Sequence, residues 1–354
     1  MTTSKKTDPI VKAAFGARNR ARLIGEYFLA QEPLVPSTAW KHVYRLLLWT
    51  DKSNGLAHCY ESDKCQPGKN WYERSLKFHD WVSSSLETSP SALAGKIDWL
   101  FRRATSDLAA EVLSKADALA AAGAKQRQPY EGRGFPKPGE DPELTSIMAE
   151  TLKGHFVNYP SPEKWQALIE RVRQYLKLEN KRRNLVGEGF EDLLADIIRR
   201  TLGTSTVSVH TRCYLEKLPD FRAPKHGSKP NKIDLAIVDR RGTKRTIVTV
   251  KWSVRADREK QFVSDYDDYM DANASQRPFD HVFVTNEFDP ARLKRACELQ
   301  HGNHDVFTRV VHVSTDALKA TYTGAREGSM KDVTHYIDER RLVSLGDWLD
   351  ILAQ

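Results

Sequence analysis

Apolar residues recur at helical spacing through the first third of the chain. Residues 9–32, PIVKAAFGARNRARLIGEYFLAQE, place apolar side chains three and four positions apart, which predicts helical structure. Residues 86–123 are rich in alanine and leucine and show no β pattern. Residues 122–142 then combine glycine, proline and charge with few apolar side chains, which indicates a linker or a long exposed loop. We therefore predict a helical N-terminal subdomain over residues 1–142 and a second domain over residues 143–354.

Helical patterns and β-forming runs alternate in the second domain. Helical spacing covers residues 161–179 and 188–202, with Ser161 as an N-cap and Gly203 as a stop. The runs of β-forming residues are 204–215, 233–239, 245–251, 281–286 and 305–314, and RRGTK makes a tight turn between the second and third runs. Further helices are predicted over about residues 257–270, 289–300 and 343–353. This order describes an α/β fold in which a mixed sheet is flanked by helices.

Length and composition bound the class of protein. The 354 residues are enough for one large domain with an added subdomain, or for two domains. Hydrophobic residues make up 40% of the chain and aromatic residues 9%, so a sizeable core is expected. The net charge of +8 and the pI of about 9.1 suit a nucleic-acid partner, although many soluble proteins without such a partner have a similar balance.

Cysteine usage and hydropathy point to a location inside the cell. The four cysteines form no CxxC pair and are scattered along the chain, which argues against a disulfide framework and for a reducing compartment. Residues 1–15 lack the apolar core of a signal peptide. No apolar run approaches the roughly 20 residues that a membrane-spanning helix needs. We therefore expect a soluble, cytoplasmic protein with no membrane partner.

An aspartate and a lysine fall at the adjacent ends of two predicted strands. Asp234 lies in the apolar run KIDLAIVD, and Lys251 ends the partner strand 17 positions later, so the two meet across the ladder of a hairpin. Phosphodiester hydrolysis needs such a pairing, because a carboxylate can hold Mg²⁺ while a lysine orients or deprotonates the attacking water. An ordinary Asp–Lys pair at a sheet edge is the alternative. Asp220, in LPDF, also precedes a lysine, but it has no apolar run behind it, and Asp234 is preferred.

A second acid is expected near Lys251, because one carboxylate alone holds Mg²⁺ poorly. The usual position for this acid, two residues before the lysine, is Thr249, which supplies no charge. Asp265 lies 14 residues after Lys251 on the predicted helix, and Glu191 lies on an earlier helix, in GEGFEDLL. Either could project onto the same strand ends, with Asp265 as the first choice for the second acid and Glu191 as the second choice. The candidate metal ligands are therefore Asp234, Asp265 and Glu191, and these with Lys251 are the candidate catalytic residues.

A charged segment directly follows this lysine. In KWSVRADREK, residues 251–260, Asp257 lies between Arg255 and Arg258. Arginine pairs bidentately with guanine O6 and N7 in the major groove, and aspartate accepts from cytosine N4. These three side chains could therefore read a G-G step and the cytosines paired to it. A solvated, salt-bridged helix start is the alternative, and Phe262 on the same helix is expected in the core.

The segment KWSVRADR, with Asp234 upstream and Asp265 downstream, resembles the Type II restriction endonucleases that cut CCGG-containing sites. These enzymes belong to the PD-(D/E)XK nuclease superfamily. The resemblance covers chiefly residues 185–290. Three features depart from the family pattern: residues 231–233 stand where a proline is common, the spacing from aspartate to lysine is short for several members, and position 265 is aspartate where glutamate is usual.

The resemblance implies a role for each candidate residue. Lys251 matches the catalytic lysine of the family. Arg255, Asp257 and Arg258 match the residues that contact the CC:GG pairs. Asp265 falls at the displaced acidic position, and Glu191 is similar to the helix glutamate often found beside the metals. The implied fold is a restriction-endonuclease-like mixed sheet flanked by helices, with an N-terminal helical subdomain.

The implied function is Mg²⁺-dependent cleavage of double-stranded DNA at a palindromic site with CC/GG pairs, within a restriction-modification system. Cutting both strands of a palindrome requires two copies of the site, so we expect a homodimer or a dimer of dimers. The core could be CCGG or CCNGG, because the same side chains read the same pairs in both.

Three alternatives stay open at this stage. They are a repair or junction-resolving nuclease of the same superfamily, a catalytically silent DNA-binding protein, and an α/β protein with a basic surface and no nucleic-acid partner. For residues 1–142 we predict an arm that embraces DNA and contacts flanking bases, because basic residues alternate there with aromatic ones such as Trp71 and Tyr72. A purely structural role for these aromatic residues is the alternative.

Overall fold

The computed structural model describes residues 9–31, 33–114, 125, 128–130, 132–134, 141–155, 161–223, 232–254, 259–325 and 328–354. Its α-helices, numbered in chain order, are α1 Pro9–Phe15, α2 Ala17–Leu29, α3 Ala39–Leu47, α4 Asn70–Ser85, α5 Trp99–Ser114, α6 Pro142–Leu152, α7 Pro162–Leu202, α8 Glu259–Ala272, α9 Pro290–Glu298, α10 Thr315–Thr321, α11 Ser329–Asp338 and α12 Leu345–Ala353. Short 3-10 helices cover Pro36–Thr38, Pro90–Gly95, Gln128–Tyr130 and Leu215–Lys217. None of the described helices is both long enough and apolar enough to cross a bilayer.

Six of the strands in the described residues form one mixed sheet. The eight strands described are β1 Val207–Thr211, β2 Leu235–Asp239, β3 Arg245–Lys251, β4 Asp280–Thr285, β5 Gln300–His301, β6 His304–Asp305, β7 Arg309–His312 and β8 Leu342–Ser344. The sheet order is β1-β2-β3-β4-β7-β8, while β5 and β6 form a separate short hairpin. β1, β2 and β3 pair antiparallel, and β3, β4, β7 and β8 pair parallel. The predicted α/β fold with a mixed sheet and flanking helices is confirmed.

The β2–β3 hairpin is the buried centre of this sheet's antiparallel side. Both strands are buried over nearly their whole length, which explains why they read as continuous apolar runs and not as alternating ones. The turn between them is closed by Asp239, whose carboxylate accepts the backbone N–H of Thr243 at 2.6 Å. Gly242 adopts a φ of +69°, a left-handed conformation that glycine takes without steric cost. This turn sets the pairing of Leu235 with Val248.

Helix α7 is one continuous element of 41 residues. The prediction of two separate helices, over 161–179 and 188–202, is wrong in this respect. The intervening residues NKRRNLVG contain no proline, and one glycine inside a helix costs only about 1 kcal/mol. The predicted stop is confirmed, because Gly203 has a φ of +78° and donates its N–H to the carbonyl of Arg199 at 3.0 Å.

The last predicted strand is shorter than expected. The pattern over 305–314 yields only β7, Arg309–His312, because Asp305 belongs to β6 of the β5–β6 hairpin and residues 306–308 connect β6 to β7. In that hairpin Gln300 pairs with Asp305, and Gly302 takes a φ of +59° at the turn.

The chain divides into two compact units. One comprises residues 1–19 with 103–185, and the other comprises residues 20–102 with 186–354. These bounds differ from the division at residue 142 that the sequence suggests. The contact with DNA predicted for residues 1–142 stays a prediction.

Residues 20–102 share a compact unit with the sheet because their side chains bond to the loop that follows β4. The hydroxyl of Tyr44 donates to Oδ1 of Asn286 at 2.9 Å. The hydroxyl of Tyr60 donates to the carbonyl of Phe288 at 2.6 Å. Helix α4 packs against α10, and α12 packs against the 3-10 helix Pro36–Thr38. Contacts between residues so far apart in sequence leave no local sequence pattern. The polar residues 122–142 therefore look like a domain boundary when only the sequence is considered.

Two glycines in this unit give a matched test of packing. A Cβ added at Gly346 in α12 would lie 2.7 Å from the backbone oxygen of Pro36, whereas a Cβ at Gly25 in α2 would meet nothing within 4 Å. We expect Gly346→Ala to lower the free energy of unfolding by about 1–3 kcal/mol through overpacking. Gly25→Ala should raise it by up to about 1 kcal/mol through helix propensity. Urea denaturation measures both, and equal stability of the two variants would contradict the described packing.

Candidate active site

The predicted aspartate and lysine meet at the open end of the β2–β3 hairpin. Leu235 pairs with Val248, so the residues beyond that pair are brought side by side. Nζ of Lys251 lies 2.6 Å from Oδ2 of Asp234. The same Oδ2 accepts the backbone N–H of Val250 at 2.9 Å. The carboxylate is therefore fixed by the main chain of β3 as well as by the lysine.

This ion pair is open to solvent on one side. The side chain of Lys251 is 38% exposed and that of Asp234 is 23% exposed. An ion pair with this much exposure contributes only about 0–1 kcal/mol to stability. The ion pair therefore contributes little to the stability of the fold. Its exposure to solvent is a property that a reaction on a large substrate would require.

Glu191 is brought to the same place by helix α7. Its neighbour Phe190 is fully buried, which seats this part of the helix in the core and leaves Glu191 at the border of the site. Burial raises the pKa of Glu191 to about 7, and the negative charge of Asp234 adds to the effect. The positive charges of Arg212 and Lys251 oppose it. Glu191 thus shares its electrostatic environment with both members of the ion pair.

Arg212 is a residue of this site that the sequence analysis missed. Its Nη1 lies 2.7 Å from Oε2 of Glu191, and its Nη2 binds Asp192. Its backbone N–H donates to the carbonyl of Asp234 at 2.8 Å, and its φ of +49° is unusual for a residue with a side chain. The buried Arg20 holds the other side of Asp192 at 2.7 Å. Arg212 therefore connects Asp234, directly before β2, to Glu191 on α7. These residues are far apart in sequence, so no local pattern reveals the connection.

Asp265 approaches the site from helix α8. Phe262, three residues earlier, is buried with its ring 5.3 Å from that of Phe283, so the predicted core position of Phe262 is confirmed and it seats this helix on the sheet. Burial raises the pKa of Asp265 to about 6. The charge of Lys251 opposes this shift and that of Asp234 adds to it, which places Asp265 within electrostatic reach of both.

Thr249 occupies the position two residues before the lysine and is engaged elsewhere. Its hydroxyl lies 3.0 Å from Nε2 of His281, and both residues are buried. The other ring nitrogen of His281 lies 2.9 Å from the carbonyl of Val306. Burial lowers the pKa of His281 to about 4, so this pair is uncharged near neutral pH. The candidate acids other than Asp234 therefore lie on helices α7 and α8 and not on β3.

Asp220 lies away from this cluster. Its carboxylate is 3.6 Å from Nη1 of Arg245, at the opposite end of β3 from Lys251. The geometry therefore agrees with the preference for Asp234 over Asp220.

The predicted base-reading residues lie outside the described residues. Arg255, Asp257 and Arg258 fall between Val254 and Glu259, where the description of the chain stops and resumes. Their predicted contacts with DNA stay predictions.

The cluster has the donor chemistry of an Mg²⁺ site. Within the described ranges, no group of three or more His, Cys, Asp or Glu side chains is already arranged as a ligand set. The three carboxylates nevertheless supply the oxygen ligands that Mg²⁺ prefers. The pKa values of Glu191 and Asp265 are both raised in part by the charge of Asp234, and a bound dication would relieve that repulsion. The residues present therefore fit an oxygen-liganded divalent cation.

Comparisons with known proteins show weak structural similarity to restriction endonucleases. No protein-family model matches this chain, and no curated protein matches it either. The chain is similar to the restriction endonuclease PspGI in its complex with substrate DNA, with 11% identity and a TM-score of 0.34, over 80% of this chain and 91% of that one. It is also similar to metal-depleted Ecl18kI in complex with uncleaved, modified DNA, with 11% identity and a TM-score of 0.29, over 94% of this chain and 82% of that one. Neither likeness assigns a role to a residue of this chain.

The raised pKa of Glu191 makes a prediction about stability. The pKa of Glu191 is about 7 in the folded protein, so it keeps its proton up to about that pH, whereas the unfolded chain releases it near the ordinary glutamate pKa of 4.5. The folded state therefore binds more protons between these values, and the free energy of unfolding falls as the pH rises through this window. Glu191→Gln removes this loss. The variant should gain up to about 3 kcal/mol relative to wild type between about pH 5 and pH 8, measured by urea denaturation in the absence of divalent cations.

Asp265→Asn serves as the companion variant. Its gain should have the same sign but end at lower pH, because the pKa of Asp265 is raised only to about 6. A stability difference between Glu191→Gln and wild type that does not change with pH would contradict the described burial of Glu191.

Proposed function

We propose that this protein is a Mg²⁺-dependent, sequence-specific DNA endonuclease of the Type II restriction kind, with a PD-(D/E)XK active site. The observation that carries the proposal is the 2.6 Å contact between Lys251 and Asp234 at the end of a buried hairpin. The pKa values of two further acids, Glu191 and Asp265, are affected by the charges of this pair. A lysine with several carboxylates at one sheet edge is the arrangement that metal-assisted phosphodiester hydrolysis uses.

In this proposal Asp234, Glu191 and Asp265 hold Mg²⁺. The metal, when bound, polarises the scissile phosphate and favours ionisation of an attacking water. Glu191 and Asp265 must give up their protons to bind a cation, so protons and the cation compete for them between about pH 6 and pH 7. Arg212 holds Glu191 through one carboxylate oxygen and so restricts the rotation of that side chain.

Lys251 acts on the substrate side of the site. Its side chain is already 38% exposed, so it can contact a phosphate or a water without a rearrangement of the strand. Held by Asp234, it orients the attacking water and offsets the charge that develops on the phosphate oxygens. Replacement of this lysine removes the positive charge that lies 2.6 Å from Asp234 at the end of β3.

Sequence choice is assigned to Arg255, Asp257 and Arg258. These residues follow directly after the strand that carries Lys251 and precede the helix that carries Asp265. Reading the CC/GG pairs and cutting the chain would then be performed by consecutive parts of the protein. The recognition core is CCGG or CCNGG, and the working unit is a homodimer or a dimer of dimers, because a palindrome presents each half-site twice.

A role in DNA contact is proposed for residues 1–142 as well. Trp71 and Tyr72 lie at the start of α4, and both are partly exposed. The guanidinium group of Arg74 lies 5.9 Å from the centre of the Trp71 ring. A partly exposed aromatic and basic surface of this kind suits contacts with phosphates and bases outside the central pairs.

A catalytically silent DNA-binding protein is the second candidate. Thr249 favours it, because its hydroxyl is bonded to His281 and the position supplies no carboxylate. Such a protein would bind DNA with a steep dependence on salt concentration and would leave it uncut in Mg²⁺.

The function is tested by cutting DNA of mixed sequence and sequencing the fragment ends. The purified protein is incubated with plasmid and phage DNA in Mg²⁺, with an EDTA control. We expect discrete ends that share a CC…GG core, which also give the flanking bases and any central base. Ragged ends would indicate a nuclease without the proposed sequence choice. Salt-sensitive binding without cleavage would favour the silent DNA-binding protein.

Arg258→Ala tests the assignment of base reading. Loss of one bidentate contact with guanine should cost about 1–3 kcal/mol of discrimination at a single G·C pair. Relative cleavage rates on a set of sites with each pair substituted in turn measure this effect. Weakening by the same factor on every sequence would instead mark Arg258 as a phosphate contact.

A further inference from the structure

The chain that leaves the catalytic strand is anchored to the loop after β4. β3 ends at Lys251, yet the carbonyl of Trp252 accepts the N–H of Asn286 at 3.0 Å and so extends the pairing by one step. The backbone N–H of Val254, two residues further along the chain, donates to a side chain: Oε2 of Glu287 accepts it at 2.7 Å. Val254 is the last described residue before the proposed base-reading segment.

Glu287 has a side chain that is buried and bonded on several sides. Its side chain is 3% exposed, and its Oε1 accepts the N–H of Phe288 at 2.9 Å and that of Asp289 at 2.8 Å. Arg292 approaches Oε2 to 3.5 Å. Burial raises the pKa of Glu287, while the backbone N–H groups and Arg292 act in the opposite direction.

Burying a charge is unfavourable unless it is paired and fully hydrogen-bonded. The Glu287 carboxylate meets this condition, because it accepts the N–H groups of Val254, Phe288 and Asp289. The main chain of this loop is held as well, because the N–H of Glu287 donates to Oγ1 of Thr285 at 3.1 Å and its carbonyl lies 3.0 Å from Nε2 of His312. The carboxylate is therefore a rigid support, and its position sets the position of Val254.

The anchored segment also touches the helix that carries Glu191. The ring of Trp252 lies 5.3 Å from that of Phe190, edge to face, and Phe190 precedes Glu191 in α7. Trp252 and Val254 are both buried. Of the residues that follow Lys251, Trp252 is thus held by α7 and Val254 by Glu287.

We propose that Glu287 is a positioning residue for sequence selection: its carboxylate fixes Val254 and so sets where the base-reading chain starts relative to Lys251. This inference rests on the proposed function. Glu287 takes no part in the chemistry and contacts no DNA. Its loss should relax the choice of sequence more than it slows cleavage.

Glu287→Gln isolates the contact. The amide oxygen can keep the N–H groups of Phe288 and Asp289, but the amide nitrogen then faces the N–H of Val254, and two donors cannot bond. We expect discrimination between a cognate site and a site with one substituted pair to fall by at least about tenfold, the size of effect that loss of a buried charged hydrogen bond produces. The exchange of the Val254 amide with solvent, followed by hydrogen–deuterium exchange, should become faster by a similar factor.

Glu61→Gln is the matched control. Glu61 contacts Arg292 at 3.6 Å and Lys64 at 3.2 Å in the same region, but it does not bond to Val254. It should leave both discrimination and the exchange of the Val254 amide unchanged. Glu287→Asp, which keeps the charge but is one carbon shorter, covers the case in which the glutamine variant does not fold, and it should show the same loss of discrimination.

Three outcomes would overturn the inference. Unchanged discrimination in folded Glu287→Gln and Glu287→Asp would show that selection does not depend on this support. Equal slowing on cognate and substituted sites would assign Glu287 a purely structural role. A wild-type protein that cuts or binds without sequence choice would overturn the proposed function together with this inference, and the wild-type control in the same assay separates that case from the first two.

Discussion

The antiparallel register of β2 and β3 is the constraint on which the site depends. Because side chains alternate across a strand, a shift of one residue would move every side chain of β3 to the other face of the sheet. The turn at residues 239–244, closed by the Asp239 carboxylate and by the left-handed Gly242, holds this register. At the open end of the same hairpin the register leaves Asp234 beside Lys251 and gives its carboxylate the N–H of Val250.

Negative charge accumulates around this pair and has to be balanced. Burial raises the pKa of both Glu191 and Asp265, and the charge of Asp234 raises it further. Lys251 opposes the shift of both residues, and Arg212 opposes that of Glu191. A DNA phosphate approaching three carboxylates would be repelled, so the proposed catalysis requires a cation between them. The excess of 55 basic over 47 acidic side chains in the whole chain favours the approach of a polyanion, and in the proposed function the local acidity would confine the cation to this site.

The sequence predicts the local parts of this arrangement well. β3 and its turn were predictable because apolar runs and turn residues are short-range signals, and Asp234 and Lys251 follow from pairing across one hairpin. Glu191 and Asp265 could be named as candidates but not placed, since their approach depends on how α7 and α8 pack. Arg212 and Glu287 could not be found at all: each acts on residues 20 or more positions away and lies in no motif. The two predicted helices proved to be one because a glycine within a helix is a weak breaker.

The most direct test of the account compares Lys251→Ala with Lys294→Ala in cleavage and binding of the same DNA. Lys294 is a suitable control because it also forms a close lysine–aspartate pair, 2.7 Å from Asp332, with a side chain that is 36% exposed. We expect Lys251→Ala to bind DNA with the salt dependence of wild type and to lose cleavage in Mg²⁺, while Lys294→Ala cuts normally. Cleavage by Lys251→Ala at close to the wild-type rate would contradict the active site, and Lys251 and Asp234 would then be an ordinary ion pair at the end of a hairpin.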